Sequence, residues 1–347
     1  MKKLAVVVAV VALLAVVMSG YVLAAEQQLP APSPAQVQSL QNAAEQGDAE
    51  AQLELGRMYR TGRGVPKDEA KAAQWWEKAA TQGNAKAQHN LGLFYYLGQG
   101  VPQDTSKAVQ LLTKAAEQGL AQAQGVLGAM YVEGQGISLD YAMAMQWATK
   151  AAEQGFALGQ NVVGFLYLEG RGVKKDMTKA ALWISKAAEQ GFSQAQHNLG
   201  FLYWTGQGLP KDYAKTAEWF SKAAEQGLAV SQHNLGLLHA HGQGVPKDYA
   251  KAARLFTKAV EQGLGAAQYS LGLLHIFGQG VIRDPKKGCV LMRTSADQGY
   301  KLAVERYNTF CVAGKTDTSQ TESNKRLDDE FARQLLEMKV RMRENMS

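Results

Sequence analysis

The sequence predicts an all-α chain, a right-handed α-solenoid of antiparallel helix pairs. Three observations lead there. A tripeptide ending in Gln-Gly occurs eight times at a constant spacing of 36 residues, from Glu45-Gln46-Gly47 to Asp297-Gln298-Gly299. Each interval holds two apolar helical faces separated by a Gly-x-Gly pair. One helical hairpin cannot bury both of its faces, whereas stacked hairpins can. Seven complete units thus run over residues 48–299.

The chain starts with Lys2 and Lys3, an apolar run over residues 4–18 and small residues around Ala24 and Ala25. That order predicts an export signal over residues 1–25, cleaved near Ala25 or Glu26. An uncleaved anchor is the alternative. The rest of the chain is then periplasmic or secreted, facing an oxidising compartment, with no stable membrane insertion after cleavage. Residues 26–34 contain three of the eight prolines and read as a linker. Residues 35–47 read as a lone second-type helix that caps the first unit.

Within a unit the grammar is constant. Gln52 and its six equivalents stand five residues after the boundary Gly, and Gly56 and its equivalents nine after it. Ala51, Leu55, Met58 and Tyr59 make one helical face. Gly62 and Gly64 end that helix through positive-φ options. Pro66 cannot continue it, and Asp68 suits the start of the second helix, where a carboxylate accepts orphan N–H groups. Ala72, Trp75, Trp76, Ala79 and Ala80 form the second face. Gly56 in mid-helix costs up to about 1 kcal/mol against Ala. Its recurrence implies that another helix backbone passes close by.

The pattern Ala-x-x-x-Leu-Gly-x-x-Tyr-x-x-Gly-x-Gly-Val, then Asp, Lys-Ala, Trp and Lys-Ala-Ala before the closing Gly, resembles the Sel1-like repeat, a relative of the tetratricopeptide repeat. Residues 84–119 and 192–227 follow it with few exceptions, and the resemblance covers about three quarters of the chain. Local departures are His239 and His275 in the Tyr slot and Leu111, Leu255 and Leu291 in the Trp slot. The resemblance implies a surface, lined by the first helices, that binds peptides or proteins.

The ends differ from the units. Residues 300–312 read as a lone first-type helix with Asn308 where a unit has its mid-helix Gly, and residues 313–321 as a polar linker. Over residues 322–345, Leu327, Phe331, Leu335, Met338 and Met342 form the stripe of an amphipathic helix. It is expected either to lid the last apolar face or to lie in the groove as a partner-binding or self-inhibitory segment.

The two cysteines fall on helices that flank the turn at Gly299. Cys289 is ten residues before it and Cys311 twelve after it, so antiparallel packing sets them at nearly one height. An oxidising compartment then predicts a disulfide.

Catalytic and cofactor signals are weak. The seven Gly-x-Gly pairs lack a third Gly and follow no strand. The six histidines include no His-x-x-x-His pair, so neither a metal nor another cofactor is expected. No Ser-x-x-Lys, Ser-Asp-Asn or Lys-Thr-Gly set supports a penicillin-recognising enzyme. The Trp residues at helical spacing are expected in the core. A net charge of +6, with seven basic and seven acidic side chains over residues 315–347, offers no basic face for nucleic acid. The expected function is therefore a non-catalytic interaction scaffold or adaptor of the bacterial envelope. A β-lactamase-like envelope enzyme and a peptidoglycan- or glycan-binding protein stand as alternatives. A monomer is expected.

Helical-wheel arithmetic places residues three, seven, ten and fourteen past the boundary Gly on the open side of each first helix, with the sixth at its margin. Asn90, Asn198 and Asn234 fall at the seventh position, and Leu93, Phe165, Phe201 and Leu237 at the tenth. Trp204 joins Phe201 and Asn198 on one stretch of unit five. The Asn amides are expected to hold a peptide backbone and the apolar row its side chains. Burial of the tenth position between adjacent units is the alternative.

Overall fold

The computed structural model describes residues 32–312 and 320–344. The expected signal over residues 1–25, most of the linker that follows it, and residues 313–319 lie outside the described residues, as do the side chains of Met338 and Met342. Among the described residues there are seventeen α-helices and no strand. The first helices of the seven repeats are α2 (Ala49–Thr61), α4 (Ala85–Leu97), α6 (Ala121–Glu133), α8 (Ala157–Glu169), α10 (Ser193–Thr205), α12 (Ala229–His241) and α14 (Gly265–Phe277). The second helices are α3 (Glu69–Thr81), α5 (Thr105–Glu117), α7 (Tyr141–Glu153), α9 (Met177–Glu189), α11 (Tyr213–Glu225), α13 (Tyr249–Glu261) and α15 (Pro285–Asp297). Before them stands α1 (Pro34–Glu45), and after them α16 (Lys301–Tyr307), a π-helical turn (Asn308–Val312) and α17 (Gln320–Glu344). The chain divides into two compact units, residues 1–175 and 176–347. In each, successive helices pack against one another as an α-solenoid requires.

The helix boundaries follow from side chains at fixed positions. Every second helix begins at an Asp whose carboxylate accepts a backbone N–H, as Asp68 does from Lys71 at 2.9 Å. The Asp backbone N–H reaches back to the preceding first helix, Asp68 to the Tyr59 carbonyl at 2.8 Å and Asp104 to Tyr95 at 2.9 Å. One residue thus starts a helix and fixes its distance from the last one. Every first helix ends on a left-handed Gly, such as Gly62 at φ 73°, a conformation that L side chains rarely adopt. Where His replaces Tyr the backbone bond persists, from Asp248 to the His239 carbonyl at 2.9 Å and from Asp284 to that of His275 at 2.8 Å, and each imidazole adds a contact to the loop: His239 Nδ1 lies 3.3 Å from the Pro246 carbonyl and His275 Nδ1 3.3 Å from that of Ile282.

Mid-helix Gly56 does make room, but mainly for a side chain rather than a backbone. A Cβ there would lie 2.3 Å from Trp76 Nε1, and that nitrogen donates to the Leu53 carbonyl at 3.0 Å. Phe220 and Phe256 fill the same space beside Gly200 and Gly236. In repeats three and seven the nearest approach is instead made by backbone, from Ala148 and Gly288.

The ends are built differently. Ser33 and Gln36 form a reciprocal capping box that starts α1, which buries Val37 and Ala44. After α16 the last turn widens to the π-helical form, where Phe310 meets Phe277 edge-on at 5.7 Å. Cys311 lies in this widened turn and bonds Cys289 of α15, with Cα atoms 5.6 Å apart. The expected lone first-type helix is thus a short α-helix and a π turn.

Reduction, or Cys289→Ser with Cys311→Ser, opens a loop of 22-residue separation and should cost about 3 kcal/mol. Urea unfolding monitored by circular dichroism should show that loss in the second unit and leave the first unit's transition in place.

Candidate functional site on the first helices

The expected open row is accessible at some positions and closed at others. Asn90 and Phe165 are half-buried, and Leu93 retains 8% exposure. Asn198 is half-buried and accepts from Gln194 Nε2 at 3.3 Å. Phe201 and Trp204 are 2% and 4% exposed, their ring centroids 5.7 Å apart inside the apolar cluster of the second unit. Asn234 is 4% exposed and Leu237 fully buried. Two causes close the row. Its tenth position is apolar or small in most repeats, and Ala129 and Leu273 are also fully buried, packed between repeats. Over repeats six and seven, α17 lies across α12 and α14. Phe201, Trp204, Asn234 and Leu237 are therefore buried rather than open, and of the eight residues Asn90, Phe165 and Asn198 present the most accessible surface.

In the first unit, Asn90 opens onto a hollow of about 130 Å³ lined by Arg57, Arg60, Lys86, His89, Leu120 and Gln122. Three first helices build it. Arg57 and Arg60 project from α2 at the tenth and thirteenth positions, Lys86, His89 and Asn90 from α4, and Gln122 from α6. Arg57 also pairs with Glu54 at 3.3 Å. Burial, with the neighbouring Arg60 cation adding to it, lowers the His89 pKa to about 4. The ring is thus neutral at physiological pH, and its Nδ1 has no hydrogen-bond partner among the described residues. The hollow combines three cations, two amides, an imidazole acceptor or donor and one apolar wall, a set that matches a carboxylate-bearing peptide segment. Arg60 stands at the thirteenth position, which the wheel rule did not include and which entered the expected row only at Trp204. Lys86 and Gln122 stand at the third position and were implied by the rule without being singled out.

Further along the same unit the fourteenth position carries buried acids. Burial raises the Glu133 pKa to about 8, and neither carboxyl oxygen has a partner among the described residues. Burial likewise raises Glu169 to about 7, opposed by Arg171 and Lys175, with the Arg171 guanidinium 3.8 Å away.

The remaining histidines are packing residues. His197 stacks on Phe220 at 5.1 Å and its Nδ1 lies 2.9 Å from Ser231 Oγ, while His233 Nε2 lies 3.0 Å from Ser270 Oγ. Among the described residues no group of three His, Cys, Asp or Glu is arranged to hold a metal ion. Trp76, Trp147 and Trp204 are core, as expected of the Trp residues. Trp75, Trp183 and Trp219 are only half-buried, with Lys78, Lys186 and Lys222 lying 3.9, 4.5 and 4.0 Å above their rings.

Seven consecutive matches to the Sel1 repeat, at residues 49–84, 85–120, 121–156, 157–192, 193–228, 229–264 and 265–300, decide the family. The chain belongs to the Sel1 repeat family. Among solved structures it is similar to c5321, described as a protective antigen present in uropathogenic Escherichia coli strains displaying an SLR fold, at 38% identity and a TM-score of 0.64. That match covers 85% of this chain and 64% of the other, so this chain spans less than two thirds of that relative. A Sel1 repeat protein from Oxalobacter formigenes matches at 34% identity and a TM-score of 0.62, over 79% of this chain and 80% of that one. No curated protein matches. Sel1 repeats are generally non-catalytic scaffolds for protein–protein interaction.

Two variants separate packing from binding. Phe201→Ala should destabilise the second unit by about 3–5 kcal/mol, the range for a buried Phe truncation, read as a lowered urea midpoint. Glu133→Gln tests the buried carboxyl. Its folded pKa near 8 lies above the ordinary 4.5, so its contribution is full below pH 4.5 and lost as pH rises through 8. The variant should melt with the parent at pH 4.5 and above it at pH 8.5.

Proposed function

We propose that the protein is a non-catalytic adaptor of the bacterial envelope that binds an acidic peptide or protein segment on its first-helix surface. In the first unit the contact centres on Asn90 and its hollow, with half-buried Phe165 two repeats further along the same row. In the second unit Asn198 is the accessible counterpart. The hollow beside Asn90 carries this reading. It gathers Arg57, Arg60 and Lys86 beside two amides and a neutral imidazole. A carboxylate seated there gains charge-assisted hydrogen bonds, and the Leu120 side chain gives an adjoining residue an apolar wall.

The envelope assignment rests on the export-type residues 1–25 of the sequence and on the Cys289–Cys311 disulfide, which persists in an oxidising compartment. No helix among the described residues is long and apolar enough to cross a membrane.

Site-specific photo-crosslinking tests the surface in the native envelope. A crosslinker at Lys86 or Gln122 should capture a partner, and one at exposed Leu182 on α9 should not. Arg60→Glu in the same chain should reduce capture at least tenfold. Equal capture from Leu182, or capture indifferent to Arg60→Glu, contradicts the assignment.

A further inference from the structure

The first-helix surface of repeats six and seven carries an occupant, the chain's own α17. Leu327, Phe331 and Leu335, spaced i, i+4 and i+8, are 0%, 0% and 6% exposed. The Phe331 ring lies 6.0 Å from Phe256 and 6.3 Å from Tyr249. Polar contacts flank this stripe. Asp328 accepts from Lys247 Nζ at 2.7 and 2.9 Å and from the Tyr249 hydroxyl at 2.7 Å. Glu330 accepts from the Tyr269 hydroxyl at 2.9 Å and faces Arg306 at 3.5 Å and Arg333 at 3.5 Å. The Ser270 hydroxyl donates to Gln334.

Two features set this seat apart from a simple end cover. A cover over an apolar face needs apolar residues alone, yet α17 also brings two carboxylates and an amide, each met by a side chain of the repeats or of α16. Charged contacts of this kind select a partner and fix its register more than they add stability. The fit is also incomplete, because Gln334 Nε2 is buried without a partner among the described residues. In addition, Ser270 occupies the seventh first-helix position, equivalent to Asn90 and Asn198. The seat therefore uses the position that faces the proposed partner in the first unit.

We infer that the surface of α12, α13 and α14 is a receptor for an amphipathic helix that carries carboxylates beside its apolar stripe and that α17 is its resident, displaceable ligand. The partner helix has large apolar residues at i, i+4 and i+8 and carboxylates at i+1 and i+3. This inference rests on the proposed role of the first helices in binding, and adds the chemistry of the partner and its competition with the chain itself. Residues 313–319 tether α17, so it competes at an effective concentration on the order of millimolar. Weakening α17 then raises the affinity for an external helix.

The test uses full-length protein and a fluorescent synthetic peptide of residues 320–344. Leu327→Ala with Phe331→Ala in the protein should bind the peptide at least tenfold more tightly than the parent does, by anisotropy. A peptide with Asp328→Lys should bind that variant at least tenfold more weakly, and Lys247→Glu in the variant should restore it. If the double variant melts below the assay temperature, Asp328→Lys in the full chain loosens α17 without touching the apolar anchors, and the same ordering is expected. A folded variant with no saturable binding, or parent and variant with equal affinity, overturns the proposal. Crosslinking from Lys86 reports the first unit independently, so either surface can fail alone.

Discussion

A buried amide ladder ties repeats to their neighbours within each compact unit. The Gln five residues after each boundary Gly is almost fully buried, and its Nε2 donates to a carbonyl at the end of the preceding helix. Gln52 reaches Ala44 at 3.0 Å, Gln88 reaches Ala80 at 3.1 Å and Gln124 reaches Ala116 at 3.0 Å. Its Oε1 accepts from the boundary Gln that closes its own repeat: Gln82 donates to Gln52 at 2.8 Å, Gln118 to Gln88 at 2.7 Å and Gln154 to Gln124 at 2.8 Å. The second unit repeats this at Gln196 and Gln232. Each of these carbonyls also accepts the N–H of the boundary Gly, as Ala80 does from Gly83 at 3.0 Å, so the amide adds a second bond to the helix end and accepts from a neighbour at once, which no apolar side chain can do. The constant 36-residue spacing keeps each boundary Gln within reach of the buried Gln that stands 30 residues before it.

Around that ladder the other repeating residues act as spacers. In repeats one to three and five to seven the starting Asp ties the second helix to the preceding first helix through its backbone, and in repeats one, five and six the mid-helix Gly admits the aromatic ring that fills the hairpin. With these distances fixed, the first-helix surface is free to vary, and Arg57, Lys86 and Asn90 in early repeats give way to Val126, Ala129 and Val162 later. The chemistry of binding is therefore unevenly distributed along a regular frame. The hollow in the first unit and the α17 seat in the second are places where polar groups gather on that surface.

Much of this was legible because the repeat makes each inference seven times over. The helix pairs, the Asp starts, the Gly ends and the pairing of Cys289 with Cys311 all followed from fixed spacing. The site was less legible, for physical reasons. A helical wheel orients one helix but not the distance to its neighbour, so it could not foresee that Phe201 and Leu237 are enclosed. The recurring Gly suggested a passing backbone, whereas in repeats one, five and six it accommodates an aromatic ring. The seat of α17 was one of two options open in the sequence, because the stripe of Leu327, Phe331 and Leu335 does not name the surface it covers. The carboxylates of Asp328 and Glu330 were the signal that this surface has polar partners, and only three-dimensional placement matches them with Lys247, Tyr249 and Tyr269.

The amide ladder is tested most directly by Gln124→Met, which keeps the length of the side chain and removes both hydrogen bonds. The Ala116 carbonyl keeps its bond from the Gly119 N–H, and the exposed Gln154 amide keeps those to the Gly119 and Lys150 carbonyls, so the loss is that of the two hydrogen bonds themselves, about 1 kcal/mol each. Urea unfolding of the first unit should show a loss of about 2 kcal/mol, with Gln124→Glu no better at neutral pH. A Gln124→Met variant as stable as the parent would show that apolar packing alone holds the repeats in register.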